Sequence, residues 1–300
     1  MMAIRAVAPP GPFPASPQPQ VPMRIRVVHE TAYEYDSPAR GLIQILRLTP
    51  RDHDGQHVRL WRIEPTADGR LSRREDGFGN IVHVYSADGP EEALVVRVTG
   101  EVETSETHGV VRGAVERLPD LFYLRESRFA AADAAIREFA DDVTAGATEP
   151  LGRLHALVDA VHQEVAYAPG GPTHSSSTAA EAFGLRKGVG QDLAHIFIAA
   201  ARHLEIPVRY VSGYYYRAGT PAQEAGHAWA EALVPDLGWV GFDPCFGISA
   251  TEAHLRVAVG LDYLDAAPVR GSRLGGGTET MTVRVLVDDV RAQAQAQAQA

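Results

Sequence analysis

The chain has 300 residues, of which 45% are apolar and 22% charged, with a formal net charge of −10; it can bury one large core or two modest ones, and its acidic balance argues against nucleic-acid binding, which needs clustered Lys and Arg. The single cysteine, Cys245, cannot close an intrachain disulfide, which fits a reducing compartment. No run approaches the roughly 18–20 apolar residues of a membrane span, so no membrane contact is expected and cytoplasmic residence is the working reading.

Residues 1–22 are rich in Ala and Pro and lack the continuous apolar segment of a secretory signal, so they read as a disordered leader. From residue 23 to about 105 the chain is strand-like. Met23-Arg24-Ile25-Arg26-Val27-Val28-His29 and Ala93-Leu94-Val95-Val96-Arg97-Val98 carry β-branched residues in short runs, and turns are marked by Asp54-Gly55, Asp68-Gly69 and Gly77-Phe78-Gly79-Asn80. This half is expected to be a small, separate antiparallel β domain. Arg70, Arg73 and Arg74 read as solvated turn charges. Residues 106–130 carry no strong periodicity and read as a connector.

Helical periodicity takes over near Ala131. Leu151, Leu154, Leu157, Val158, Val161 and Val165 share one face, predicting an amphipathic helix over 150–166 with proline in its first turn. Thr178-Ala179-Ala180-Glu181 matches a capping box and starts a short helix ending near Leu185. A helix from about Gln191 to Leu204 follows, then strands over 208–216, 227–234 and 239–242. Met281-Thr282-Val283-Arg284-Val285-Leu286-Val287 reads as one more strand, grouped with the helical half as residues 131–290. The Ala-Gln alternation of 291–300 is a low-complexity tail with no assigned function. The fold class is therefore α+β: helices packed on an antiparallel sheet, preceded by an antiparallel β region.

Three blocks carry the chemistry: Arg186-Lys187-Gly188-Val189-Gly190-Gln191-Asp192-Leu193-Ala194-His195, then Gly226-His227-Ala228-Trp229-Ala230-Glu231, then Gly238-Trp239-Val240-Gly241-Phe242-Asp243-Pro244. In that order they resemble the Cys, His and Asp blocks of the bacterial transglutaminase-like family, a branch of the papain-like thiol enzymes. His29-Glu30-Thr31-Ala32-Tyr33-Glu34-Tyr35 and Asp76-Gly77-Phe78-Gly79-Asn80 resemble the N-terminal β region that precedes the core in that family, and the strand near the C-terminus resembles its C-terminal extension. The resemblance spans roughly residues 23–287 and implies a papain-like core.

By that resemblance His227 is the base and Asp243 its orienter. Thiol acyl-transfer chemistry needs a thiolate at a helix N-terminus, an imidazole within reach and a carboxylate to orient the ring. The family's first block reads G-V-C-Q-D-x-A-H, with cysteine as nucleophile; here that position is Gly190, which has no side chain to attack a carbonyl. Gln191, Asp192 and His195 belong to the following helix. Asp192 reads as a helix cap or as a functional group, His195 as a satisfied, semi-buried histidine, and Trp229 and Trp239 as sheet packing or cleft walls.

Two candidates could replace the missing thiol: Cys245, two residues past Asp243, and the Ser175-Ser176-Ser177 cluster, which lacks the helix-terminus placement. Cys245 otherwise reads as a packed thiol. The histidines show no H-E-x-x-H spacing, and no Gly-rich phosphate loop opens a helix, so neither metal nor cofactor is expected. The expected role is that of a transglutaminase-like pseudoenzyme binding a peptide, an isopeptide-like or acyl-amide ligand, or a protein partner. The alternative is an active cysteine-type amide hydrolase or acyl transferase, acting through Cys245 or as a parent with cysteine at position 190.

Overall fold

A computed structural model describes residues 21–291 apart from 175 and 224, so the expected leader, all but its last two residues, the tail from 292 and Ser175 lie outside the described residues. The N-terminal half is organised by one long strand, β1 (Met23–Thr49), whose residues Ile25, Val27, His29, Thr31, Tyr33 and Tyr35 alternate into the interior. That period of two is what a half-buried strand requires. Four more strands follow: β2 (Gln56–Pro65), β3 (Arg70–Glu75), β4 (Ile81–Ala87) and β5 (Glu91–Thr104). β5 pairs with the first half of β1 and β4 with its second half, both antiparallel.

The helices are α1 (Ala134–Thr144), α2 (Pro150–Glu164), α3 (Ala179–Leu185) and α4 (Gly190–His203). Pro150 opens α2, and its Leu154, Leu157, Val158 and Val161 are the buried stripe that the periodicity predicts. The capping box at α3 forms: Thr178 Oγ1 accepts from the Glu181 N–H at 3.2 Å and the Thr178 N–H donates to Glu181 Oε2 at 2.8 Å.

The second sheet contains β6 (Val208–Tyr215), β7 (His227–Val234), β8 (Gly238–Asp243) and β9 (His254–Gly260), in the order β8-β7-β6-β9 and antiparallel throughout. One face of β7 presents Ala228, Ala230, Ala232 and Val234 to the same core as Ile196, Phe197 and Ala200 of α4. The other face carries His227, Trp229 and Glu231. There Arg209 and Arg256 pair with Glu231 at 2.6 and 2.7 Å, and Arg209 reaches Glu116 at 2.6 Å. Burial opposes ionisation of Glu231, but the two guanidiniums outweigh it and hold the carboxyl at about 2.

Two findings differ from the expected organisation. The last strands, β10 (Val269–Gly275) and β11 (Glu279–Asp289), pair with β1, not with the second sheet. Twenty-seven residues of β1 leave edges that β4 and β5 alone do not cover, and the β-branched stretch after residue 281 supplies the missing ladder. Gly275, Gly276 and Gly277 turn the chain between them with φ of +70°, +88° and +61°, which side chains disfavour. The connector is also part of the packed structure: Val110 and Val111 pair with β8, and Tyr123 is buried against Trp239. One apolar cluster joins Ile25, Val27, Val102, Val285 and Val287 of the first sheet to the helices and the second sheet. None of the described helices is long and apolar enough to cross a membrane.

Candidate active site

The site forms where the N-terminus of α4 meets one end of the second sheet. Val189 is extended, and its N–H donates to Asp192 Oδ2 at 2.8 Å, so the carboxylate reaches back over the first turn. Asp192 therefore acts as a cap, with its negative charge at the favourable end of the helix dipole. Burial pushes its carboxyl pKa up. Gly190 is the first residue of α4, and a Cβ built on it would lie 3.7 Å from Ala228 O and 3.8 Å from His227 Nδ1. Both are ordinary van der Waals contacts, so nothing in the packing requires glycine there. Gln191 follows in the same turn.

His227 opens β7 and Asp243 closes β8, so antiparallel pairing brings the two to the same sheet end despite their separation in sequence. His227 Nε2–H donates to Asp243 Oδ2 at 2.6 Å. The neutral ring therefore presents Nδ1 as an acceptor, on the side facing Gly190. Asp243 is fully buried. Its Oδ2 also accepts from His254 Nε2 at 3.0 Å, and its Oδ1 from the Cys245 N–H at 2.9 Å. Burial opposes its ionisation, but the imidazoles of His227 and His254 prevail and hold the carboxyl well below the usual carboxylate range.

His254 is the residue that sequence reasoning missed. Its Nδ1 accepts from the Thr251 N–H at 3.0 Å, which leaves the proton on Nε2 for Asp243. A lone histidine at a strand start has no signal of its own; only the pairing of β9 with β6, which sets His254 opposite Tyr215, brings it to the site. Also unanticipated are Tyr215 and Phe246, whose rings lie 5.4 and 5.3 Å from His227.

Trp229 is buried and stacks on His227 at 6.0 Å. Its indole has room because the neighbouring β6 carries Gly213, whose Cβ would stand 2.6 Å from the ring. Trp239 is not at the site. It lies at the other end of β8 from Asp243, under the Arg209 guanidinium at 4.0 Å. His195 is likewise removed from the dyad. It is fully buried between Phe129 and Tyr210, its Nε2 accepts from the Tyr263 N–H at 3.1 Å, and burial lowers its pKa to about 3.

Cys245 is a poor substitute nucleophile. Its side chain is buried beside Asp243, and burial together with that negative charge pushes the thiol up to about 12. His227, Asp243 and His254 offer a metal-type donor set with atoms within 4.8 Å of one another. Their own protons close it, however. Adjacent ligands around a tetrahedral zinc sit about 3.3 Å apart, whereas His227 Nε2 and Asp243 Oδ2 are 2.6 Å apart. A cavity of about 480 Å³ lined by Ile206, Pro207, Leu233, Pro235 and Leu237 lies at the opposite end of the sheet and holds no imidazole or nucleophile. The oriented imidazole is at the His227–Asp243 pair.

Residues 137–244 match the family model of the transglutaminase-like superfamily, and residues 25–103 match that of the bacterial transglutaminase-like N-terminal region. An uncharacterized protein of Mycobacterium leprae is 30% identical over 87% of this chain and 97% of its own length. An uncharacterized protein of Mycobacterium tuberculosis is 28% identical over 89% and 92%. In fold, the chain is similar to the crystal structure of a candidate cysteine protease from Cytophaga hutchinsonii, with a TM-score of 0.73, 22% identity and coverage of 90% of this chain and 92% of that one. With both family regions in their expected order around a His227–Asp243 pair at the head of α4, the chain belongs to the transglutaminase-like superfamily and carries its bacterial N-terminal region.

Proposed function

We propose that this chain is a catalytically silent transglutaminase-like protein that binds a peptide, an isopeptide-like or acyl-amide ligand, or a protein partner in the cleft at the head of α4. The observation that carries the reading is the pairing of an intact base with a missing nucleophile. His227 is oriented by Asp243 at 2.6 Å, and the position its Nδ1 faces is Gly190. Acyl transfer through a covalent intermediate needs a side-chain nucleophile at that point. The one thiol of the chain, Cys245, is buried and has a raised pKa.

Loss of the nucleophile removes turnover but leaves the elements of a binding cleft: an oriented imidazole, a helix N-terminus and the aromatic rings of Tyr215 and Phe246. The test is to incubate the purified chain with capped glutaminyl and isopeptide-linked peptides. Amine or ammonia release, labelling by a thiol-directed acylating probe, and calorimetric binding are followed in parallel. The expected result is saturable binding without release or labelling. Release that disappears in Cys245→Ser would overturn the reading.

A further inference from the structure

Arg217 lies just past the end of β6, on the segment that leads to His227. Its guanidinium stands 5.3 Å from the centre of the Phe246 ring, which is itself stacked 5.3 Å from His227. Among the described residues, no carboxylate lies within ion-pair distance of it. Among the described residues Arg125 and Arg128 also stand over rings, those of Phe122 and Phe129, without an ion pair, but Arg217 is the one whose ring is stacked on His227. Arg217 is also felt at the site, opposing the upward shifts of the Tyr215 hydroxyl and the Cys245 thiol. Among the described residues, the nearby negative charges are Asp243, already bonded by two imidazoles, and Glu252, whose effect is also felt at Tyr215.

A guanidinium within cation–π distance of an aromatic ring can keep N–H donors of its fork available to a carboxylate. We propose that Arg217 determines specificity in the cleft by receiving a ligand carboxylate. On this reading, which rests on the cleft being a peptide or acyl-amide site, the preferred ligand is an acidic peptide. The two steps from His227 through Phe246 to Arg217 correspond to about two or three residues of extended chain, at about 3.5 Å each. The carboxylate therefore sits two or three residues from the amide held over Gly190. An acidic side chain and a free C-terminal carboxylate offer the same chemistry at that distance.

The test is isothermal titration of the full chain with acetylated, amidated octapeptides having a central Gln in an Ala/Ser background. Glu is placed two or three residues to either side, each peptide is compared with its Gln isostere, and a further series ends in a free carboxylate with no Glu. At least one carboxylate-bearing peptide is expected to bind about tenfold more tightly than its neutral counterpart; which series shows the preference identifies the source of the carboxylate. Arg217→Gln should abolish the preference, and Arg217→Glu should shift it to the corresponding Lys peptide. Binding of charged and neutral peptides within twofold of each other, or a preference that survives in Arg217→Gln, overturns the role of Arg217 and leaves the cleft reading standing. Failure of every peptide to bind overturns the role of Arg217 together with the peptide and acyl-amide reading of the cleft on which it rests.

Discussion

His227 Nδ1 lies 3.8 Å from the point where a Cβ on Gly190 would stand, while the other nitrogen of the same ring is bonded to Asp243 at 2.6 Å. The imidazole is thus oriented toward an atom that the chain does not have. A Cβ at position 190 would enter ordinary contact distance, not a clash.

That relationship separates two glycines that look alike in sequence. Gly190→Ala should leave stability within about 1 kcal/mol of the native chain, since alanine favours a helix and the space is open. Gly213→Ala should cost at least about 2 kcal/mol, because its Cβ would overlap the Leu255 carbonyl and the Trp229 ring. Denaturant melts of the two variants check this. Equal effects would mean that Trp229 is not wedged against Gly213.

The second histidine on Asp243 should matter for both stability and geometry. His254→Ala removes one of the two donors to Asp243 Oδ2, leaving a buried carboxylate underbonded, at a cost on the order of 1–3 kcal/mol. His254→Gln retains an N–H donor and should recover part of that loss. In a Gly190→Cys background, His254→Ala should also slow alkylation of the introduced thiol by allowing His227 to drift. A drop in melting temperature with unchanged alkylation would assign His254 a purely structural role.

Much of this was readable along the chain because the signals were local. The stripe of α2, the capping box at Thr178 and the short strand runs from Val208 onward are set within a few residues of each other. The same is true of the block containing His227 and that containing Asp243, which family resemblance could match. What stayed hidden depended on long-range pairing. β11 finds β1 across more than two hundred residues, with Ile25 opposite Asp289, and no local pattern announces that partner. His254 and Phe246 reach the dyad only once the second sheet has formed, whereas Trp239, the second residue of a good block that starts at position 238, is carried away from it by the direction of β8.

Stability should fall on mild acidification, and buried histidines are the reason. His29 is bonded to Tyr214 and Thr31, and burial lowers its pKa to about 4; burial lowers that of His195 to about 3. Between those values and the unfolded value near 6.5, the unfolded chain carries both protons and the folded chain neither. Their contribution is therefore present above about pH 6.5 and lost progressively as the pH falls toward 4. From pH 7 to 5 the loss is on the order of 3 kcal/mol, or about 5–10 °C in Tm. Asp243 and Glu231, whose folded pKa values are depressed, add to the loss only below about pH 4. Calorimetry across pH 5–7 in constant ionic strength checks this, and a flat Tm would contradict the neutral burial of these rings.

Restoring the absent atom is the most direct test of what the cleft is. Gly190→Cys places a thiol in the first turn of α4, facing a histidine oriented by a buried carboxylate. The helix dipole and His227 together should lower its pKa below the ordinary value of about 8.5. At pH 6 an ordinary thiol is only about 0.3% ionised, so iodoacetamide should alkylate the introduced cysteine at least about a hundredfold faster than Cys245, which burial and Asp243 hold at about 12. Adding His227→Ala should remove most of that advantage. Amide turnover is a harder requirement, because losing a nucleophile costs about 10⁶-fold and the surrounding contacts must also hold the substrate in line. Alkylation at the rate of an ordinary thiol in Gly190→Cys would show that α4 and His227 no longer form a thiol-activating pair, and the description of the cleft as a preserved acyl-transfer site would fall with it.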